Sequence, residues 1–379
     1  MTFLNKGLLS FSVLLILLIG CTLIPLKQNS ILMPDASSHR KADPMLPGES
    51  FIRAHMTNSD GSLRTYLKPS DRSEPDTAYG HEALSESMGL WLLYAVEKGD
   101  PELFQQAAQA VEQTFMKSDG WIQWKAGGTA PVNTNALVDD MRIAYALYLG
   151  GSKWEDAEYT KMADTITDNV LGTQVVDSGF RDFYDHKQQW TSTGLTLSYL
   201  NAFAIVNLYE QSKMPEDLYQ KTKNFLLSVP TKDGFYPFSY DYGSGQYTYH
   251  DKINLIDQLL IEQSQIKLGN GESAFWSFVK NTFREQGSLY GQYDRVSKAP
   301  VVAYESPAVY GFAIMFAIEN GEADLARDLY YRMIRFQTLK PESEYYGGYM
   351  NYQQGDTHIF DNLVPLLAER MLYNAQLLQ

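Results

Sequence analysis

A short block that contains a glycine and several aromatic residues recurs along the chain at intervals of 55 to 59 residues. The Asp-Gly pairs in these blocks favour turns with positive φ, because glycine has no Cβ to clash in that region. A regular period of this length indicates that one supersecondary unit is repeated through the fold. The six glycines are Gly61, Gly120, Gly179, Gly234, Gly291 and Gly347.

Two helical patterns alternate between the glycine turns. Residues 82–97 are apolar nearly all round, which suits a helix buried on both sides. Residues 101–116 are amphipathic, with Asp100 placed to cap the helix and Pro101 in its first turn. The same order, buried then amphipathic, returns at 138–150 and 153–170, 195–210 and 215–228, 253–268 and 272–285, and 306–319 and 322–338, and a final helix is predicted over 359–377.

This alternation predicts an all-α fold, an (α/α)6 barrel of six helical hairpins. The buried helices form the inner wall of the barrel and the amphipathic helices form the outer wall. An open α-solenoid is the alternative that the same repeat allows. In the barrel, the six glycine turns lie at one end, where functional groups carried by loops gather.

The composition excludes several classes of function. The chain has 379 residues and a formal net charge of −14, which disfavours nucleic acid as a partner because phosphate binding needs clustered Lys and Arg. A single Cys cannot form a disulfide framework or a Cys-based zinc site, and the six His are scattered. We therefore expect no metal, no cofactor and a monomer. Aromatic residues make up 13% of the chain, and with the acidic balance they are typical of proteins that hold uncharged polar ligands such as sugars.

Residues 1–20 are predicted to be an export signal. An apolar run over 7–20 follows Lys6 and is too short to span a bilayer comfortably. The run ends in Leu-Ile-Gly followed by Cys21, which resembles a bacterial lipobox, so Cys21 is the predicted lipidation site. An uncleaved N-terminal anchor is the alternative.

Two further segments follow the predicted export signal. Residues 21–48 are polar with scattered Pro and no sustained period, which is typical of a tether. Residues 49–379 carry the helical repeats and are predicted to form the folded domain. The lipidated and the uncleaved forms both place this domain outside the cytoplasm and attach it to the membrane.

Polar residues stand at the start of every predicted inner helix, where an apolar wall is expected. Helix capping or the helix dipole explains any one acidic residue at such a position. Six such starts converge on one cleft, however, and two carboxyl groups across a cleft are what glycoside hydrolysis requires. The residues are Glu82 and Glu86, Asp139 and Asp140, Ser198 and Tyr199, His250, Asp251, Asn254 and Asp257, Glu305, and Asp356, His358 and Asp361.

The segment SESMGLWLLYAV at 85–96 resembles the S-E-G-M-G-Y-G-L-L-L-A-V block of glycoside hydrolase family 8. The family has an (α/α)6 barrel and cleaves with inversion of configuration. Its Glu in this block is the general acid, so the resemblance assigns that role to Glu86. The shorter segments at 197–200 and 359–368 also resemble family segments, in the same order along the chain.

A second block, ALVDDMRIAYAL at 136–147, resembles the family signature A-[ST]-D-[AG]-D-x-x-[IM]-A-x-[SA]-L. Asp140 aligns with the second Asp of this signature, which implies a catalytic role. The first Asp falls on Val138, which is a departure from the family. Either the neighbouring Asp139 supplies the missing carboxylate, or the sugar subsite differs.

A third block, YHDKIN at 249–254, is similar to the family segment S-Y-D-A-I-R. The Asp of that segment is the general base in the main subgroup of the family, so the resemblance assigns the base to Asp251. Asn254 replaces the family's Arg.

The resemblance implies hydrolysis of an extracellular polysaccharide, such as the cell's own exopolysaccharide or a partly deacetylated amino-sugar polymer. Polar residues in the blocks would hold sugar hydroxyls, and rings in the loops would stack on sugar faces. The expected substrate-binding residues are Asp139, Tyr199, Tyr249, Asn254, Glu305, Trp121 and Trp124, with Trp190 and Tyr236 as further candidates for stacking.

Two other functions remain open at this point. Some (α/α)6 enzymes are polysaccharide lyases that use His and Tyr, and His250 beside Tyr249 permits this chemistry. The acidic balance of the chain disfavours the anionic substrates of lyases. A glycan-binding lipoprotein without activity is the third possibility, although a protein that only binds has little use for two opposed carboxylates.

Overall fold

The computed structural model describes residues 44–378. The predicted export signal 1–20, the lipidation site Cys21 and most of the tether 21–48 lie outside the described residues. The first helix begins at Pro47, two residues before the predicted start of the domain. In residues 44–378 we find no helix with the length and apolar character needed to cross a membrane.

Twelve α-helices account for most of the regular structure in the described residues. They are α1 Pro47–His55, α2 Ser85–Lys98, α3 Pro101–Ala110, α4 Leu137–Trp154, α5 Ala157–Thr173, α6 Ala202–Glu210, α7 Glu216–Leu227, α8 Leu255–Lys267, α9 Ala274–Gln286, α10 Pro307–Glu319, α11 Ala323–Met333 and α12 Phe360–Asn374.

The even-numbered helices pack against one another in chain order, and α12 packs against α2. Each odd-numbered helix from α3 to α11 packs against the even-numbered helix before it, and α1 packs against α12. The α10 helix is buried along most of its length, as an inner position requires. The predominantly helical fold is therefore confirmed, and the buried and amphipathic helices alternate as the sequence predicts.

The all-α prediction omits a set of short antiparallel strands. They are β1 Ala83–Leu84, β2 Lys125–Ala126, β3 Val175–Val176, β4 Gly179–Phe180, β5 Tyr184–Asp185, β6 Trp190–Thr191, β7 Gly194–Thr196, β8 Ser239–Asp241, β9 Gln246–Thr248, β10 Lys252–Asn254 and β11 Gln292–Asp294.

Several of these strands join loops that lead into different inner helices. β1 pairs with β2, β7 pairs with β8, and β10 pairs with β11. The helix predicted from residue 195 instead begins at Ala202, because 194–196 form β7 and 197–199 form a 3₁₀ turn. These paired loops fix where the first turn of each inner helix stands.

The turn glycines behave as the repeat predicts at four of the six positions, where φ lies between 83° and 88°. At Gly120, a Cβ atom would stand 2.1 Å from the carbonyl oxygen of Thr165, so the turn packs directly on the backbone of α5. Gly179 and Gly291 do not have positive φ. In the Gly179 turn, Asp177 and Ser178 take the left-handed positions instead, with φ of 50° and 63°.

Candidate active site

Glu86 is the second residue of α2, and that helix begins immediately after β1. The Ser85 N–H donates to the carbonyl oxygen of Trp124 at 3.0 Å, which together with the β1–β2 pair fixes the start of the helix. Burial and the neighbouring Asp139 carboxylate raise the pKa of Glu86 to about 7, while the Arg142 guanidinium acts in the opposite direction. This carboxyl group is thus protonated over much of the range below neutral pH, as a general acid must be.

Asp139 lies in the first turn of α4 and bridges the starts of α2 and α4. Its carboxylate accepts a 2.8 Å hydrogen bond from the Ser85 hydroxyl and pairs with the Arg142 guanidinium at 3.3 Å. Burial raises the pKa of Asp139, while Arg142 and the hydrogen bonds from Ser85 and the Glu86 backbone act against the rise. The structure therefore brings Asp139 and Glu86 together.

Asp140 contacts a different set of residues. It is 1% exposed and accepts a 2.6 Å hydrogen bond from the Asn135 amide, which also donates to Gln174 at 2.7 Å. Burial and the Asp139 charge raise the pKa of Asp140 well above its usual range. These contacts place Asp140 against the end of α5, where it supports the loop before α4.

Tyr199 is influenced by the carboxyl groups of Glu86 and Asp139 and also by one from α8. It lies in the 3₁₀ turn before α6. Burial and then the charges of four carboxylates, those of Asp139, Asp182, Glu86 and Asp257, raise the pKa of Tyr199. The phenol therefore stands among carboxyl groups that come from α2, from α4, from the loop before β5 and from α8.

Asp257 is the carboxyl group that α8 contributes to this set. It lies in the first turn of that helix and accepts a 3.0 Å hydrogen bond from the Ser198 hydroxyl. Burial raises the pKa of Asp257, and the Ser198 hydrogen bond and the charge of His250 oppose the rise. Glu86 and Asp257 are thus first-turn carboxyls on two separate inner helices, each close enough to Tyr199 to affect its titration.

The structure places Asp251 outside this set of contacts. Its side chain is 88% exposed and pairs with the Arg295 guanidinium at 3.1 Å. Strand β10 separates Asp251 from α8, so the residue precedes the helix by four positions instead of lying in its first turn. The resemblance of YHDKIN to the family segment rests on its Asp and its Ile, and neither residue marks the strand that follows Asp251. The helical register of α8, which puts Asp257 in its first turn, is the signal by which Asp257 could have been found.

Three residues predicted to bind substrate make local structural contacts. The Tyr249 hydroxyl donates to the carbonyl oxygen of Pro230 at 3.2 Å. Asn254 caps α8, since its side-chain oxygen accepts the N–H of Ile256 at 2.9 Å. Glu305 is bonded to Arg332 and Tyr310, between α10 and α11.

The aromatic candidates divide between the core and the surface. Trp121 is 0% exposed, so its ring packs in the core and cannot stack on a sugar. Tyr236 is also buried, with its hydroxyl bonded to Glu262 at 2.7 Å. Trp124 is half-buried beside Ser85, and Trp190 is 48% exposed. Of the four rings, Trp124 and Trp190 therefore remain available to a glycan.

A buried ion pair lies in the segments that flank β1, the strand that leads into the helix of Glu86. The Lys125 ammonium pairs with Glu82 at 3.1 Å and donates to the carbonyl oxygens of Glu74 and Thr77. Glu82 also accepts the hydroxyl of Ser73. This network ties the loop before β1 to strand β2.

The described residues show no metal centre. Among residues 44–378, no group of three or more His, Cys, Asp and Glu side chains is arranged to hold a metal ion. The chemistry available at the candidate site is that of carboxyl groups, hydroxyl groups and one guanidinium.

The chain is similar to the putative lipoprotein YdaJ of Bacillus subtilis strain 168. The two are 36% identical over 339 residues, which cover 89% of this chain and 90% of YdaJ. An endoglucanase of Cellulomonas uda is 33% identical over 106 residues, 27% of this chain and 30% of the relative. No protein-family model matches the chain.

Solved structures from several bacteria share the fold, and some of them are named as glycoside hydrolases. An α-amylase from Clostridium perfringens superposes with a TM-score of 0.77 at 24% identity, over 85% of this chain and 96% of that one. PssZ from Listeria monocytogenes gives 0.69 at 27% identity, over 88% and 98%. The endoglucanase Cel10 of Klebsiella pneumoniae, a family 8 glycosyl hydrolase, gives 0.56 at 17% identity, over 86% and 99%.

Proposed function

We propose that the chain is a member of glycoside hydrolase family 8, which the endoglucanase relative and the shared fold support, and that it is an extracytoplasmic inverting polysaccharide hydrolase with Glu86 as general acid and Asp257 as general base. Within this proposal the ring of inner helices is the inner wall of a six-hairpin (α/α)6 barrel. The pair formed by α1 and α12, from the two ends of the domain, is the sixth hairpin. The cleft lies where the first turns of the inner helices meet.

One observation carries the assignment of the acid and the base. Glu86 and Asp257 are carboxyl groups in the first turns of two inner helices, α2 and α8, and the charges of both contribute to the raised pKa of Tyr199. The pKa of about 7 at Glu86 suits proton donation near neutral pH. Asp257 keeps the Ser198 hydrogen bond that stabilises its ionised form.

The reaction follows from these two protonation states. The Glu86 carboxylic acid donates its proton to the glycosidic oxygen as the bond to the anomeric carbon breaks. Asp257 removes a proton from a water molecule that attacks the anomeric carbon from the opposite face, so the new C–O bond has inverted configuration. An inverting pair needs a separation of about 6.5–9.5 Å between the two carboxyl groups to admit this water. Asp139, ionised beside the bond that breaks, stabilises positive charge on the sugar ring.

The substrate that we propose is an extracellular polysaccharide. The related structures are named for activity on starch-type and cellulose-type glucans and, in one case, on xylan. The carboxyl groups around Tyr199 make the cleft acidic, which favours neutral or cationic sugars over uronates. A partly deacetylated amino-sugar exopolysaccharide meets this requirement, as does a neutral glucan.

The test is hydrolysis of a panel of glycans by the purified domain. The panel contains soluble starch, carboxymethylcellulose, xylan, partly deacetylated poly-amino-sugar and the exopolysaccharide of the source cell. We expect new reducing ends on one of these, with the product anomer inverted by proton NMR immediately after cleavage. Glu86→Gln and Asp257→Asn should each abolish the release. Full activity in either variant would remove that residue from its proposed role.

The location rests on the N-terminal sequence and on the putative lipoprotein YdaJ as a relative. We propose that Cys21 carries the lipid that anchors the domain to the membrane, and that the domain acts as a monomer. Cys21→Ala should release the protein from the membrane fraction and remove the mass of the lipid. Unchanged retention and mass in that variant would contradict the anchor. Size-exclusion chromatography with light scattering tests the monomer.

A further inference from the structure

Arg142 brings a buried positive charge to the pair formed by Glu86 and Asp139. It lies one turn after Asp139 on α4 and is 4% exposed. Its guanidinium stands 3.3 Å from the Asp139 carboxylate. Taking a charge this far from water is costly unless a partner compensates it, so the two ions are held in place by each other.

Gly89, one turn after Glu86 on α2, provides the space that Arg142 occupies. A Cβ atom at Gly89 would stand 3.1 Å from Cδ of Arg142 and 3.2 Å from its Cγ. These separations are shorter than ordinary van der Waals contact, so a side chain at this position would displace the Arg142 stem. The absence of a side chain at Gly89 on α2 therefore allows the Arg142 guanidinium on α4 to stay beside Asp139.

Asp139 is held from three directions by the same arrangement. The Ser85 hydroxyl donates to it from α2 at 2.8 Å, Arg142 pairs with it from α4, and the Glu86 backbone also donates to it. Removing Arg142 would leave the Asp139 charge buried with hydrogen bonds but no counter-ion. A carboxylate in that position takes up a proton more readily.

The groups that face Glu86 come from several elements. Asp139 and Arg142 face it from α4, and Tyr199 faces it from the turn before α6. From α12, which packs against α2, Asp361 is instead bonded to Ser306 at 2.7 Å. The charged groups that act on the pKa of Glu86 in addition to burial are thus one anion and one cation, Asp139 and Arg142, one turn apart on α4.

We propose that Arg142 is a positioning residue of this hydrolase, whose guanidinium holds the Asp139 carboxylate in place and in its ionised form beside Glu86. This inference rests on the proposed role of Glu86 as the general acid. With one proton on the pair, Glu86 is protonated and able to donate, and the Asp139 carboxylate remains to stabilise positive charge on the sugar. With two protons, that anion is lost.

The test compares the pH dependence of kcat/KM in Arg142→Gln, Arg142→Lys and the unmodified protein. Arg142→Gln keeps a hydrogen-bond donor but removes the charge, so both limbs of the profile should move to higher pH by about one unit or more. Activity at pH 6 should fall about 10-fold or more. Arg142→Lys retains the charge and should keep both limbs within a few tenths of a unit of their positions in the unmodified protein.

A matched control separates this effect from a loss of packing. Lys98 is also a buried cation, paired with Glu49 at 2.8 Å at the other end of α2. Lys98→Gln should lower stability as Arg142→Gln does, without moving either limb. Equal limb positions in Arg142→Gln and the unmodified protein, with Glu86→Gln inactive, would overturn the role of Arg142 and leave the proposed function standing.

Two other outcomes are also decisive. If Glu86→Gln retains full activity, the proposed function fails and the role of Arg142 fails with it. If Arg142→Gln does not fold, Arg142→Lys carries the test. A folded Lys variant whose limbs move by a unit or more would overturn the inference, because the charge is still present.

Discussion

The Ser198 hydroxyl donates a 3.0 Å hydrogen bond to the Asp257 carboxylate, which joins the turn before α6 to the first turn of α8. Asp251 makes no comparable contact with the residues around Glu86, and its exposed side chain pairs with Arg295. The two acids therefore have different environments although they are six positions apart in the sequence.

Asp257→Asn should lower kcat by about 10²- to 10⁴-fold, the usual contribution of a general base. The amide has nearly the same shape as the carboxylate and can still bond to Ser198, so the fold should persist. The measurement is the initial rate of reducing-end release on the glycan identified from the panel. Asp251→Asn, as the matched control, should stay within about threefold of the unmodified rate. The reverse ranking of the two variants would restore the base to Asp251.

Asp139→Asn and Asp140→Asn should separate the roles of the two adjacent acids. Asp139 contacts Ser85 and Arg142 beside Glu86, so its loss should reduce kcat/KM by about 100-fold or more, as expected for an electrostatic contribution in the transition state. Asp140 contacts Asn135, so Asp140→Asn should change the melting temperature and leave kcat/KM within about fivefold. Kinetics and thermal melting of both variants make the comparison.

An intact rate in Asp139→Asn would instead show that the sugar subsite differs from that of the family. A severe loss of kcat in a stable Asp140→Asn variant would return the catalytic role to Asp140, as the family signature implies.

Glu86→Gln should abolish activity and stabilise the protein at alkaline pH. The pKa of Glu86 is raised from 4.5 to about 7 in the fold, so the folded state binds this proton more tightly than the unfolded chain. The stability from this group is present below pH 4.5 and is lost as pH rises through 7. Gln cannot ionise, so the gain should be only about a quarter as large at pH 5 as at pH 8.5, where it should be about 1 to 2 kcal/mol, discounted because Glu86 is only half-buried.

Thermal melting at the two pH values measures the gain, which corresponds to a few degrees. Glu319, near the C-terminal end of α10, supplies the matched control because burial raises its pKa to about 8. Glu319→Gln should show the same alkaline stabilisation with activity intact. A pH-independent difference between Glu86→Gln and the unmodified protein would mean that Glu86 is not protonated in the folded state near neutral pH.

The helices were predictable from the sequence because their signals are local. The apolar pattern of α2 and the amphipathic pattern of α3 each arise within about four turns of one segment, and the glycine period sets their spacing. The short strands were not predictable in this way. β7 is stabilised by pairing with β8, more than 40 residues further on, so nothing in its own sequence marks the end of a helical pattern.

The sequence predicts that carboxyl groups at the starts of inner helices form the candidate site, but it does not identify every one of these residues. Glu86 lies in a block whose helical register is unbroken, and its position follows from that register. Asp251 and Asp257 are separated by β10, and only the fold shows which of them lies in the first turn of α8. Trp121 and Trp124 lie three positions apart in the same loop, and the sequence of that loop does not indicate which of the two rings faces the core.

Gly120→Ala should destabilise the protein by more than about 1 kcal/mol, because its φ is 85° and a Cβ would stand 2.1 Å from the Thr165 carbonyl oxygen. The matched control is Gly172→Ala, near the end of α5, where a Cβ would have nothing within 4 Å. Alanine is the better helix former, so this change should be neutral or stabilising by up to about 0.8 kcal/mol. Urea unfolding monitored by circular dichroism gives both values. Equal stability of the two variants would mean that the recurring glycine is not required by the turn, and the repeat would lose its physical basis.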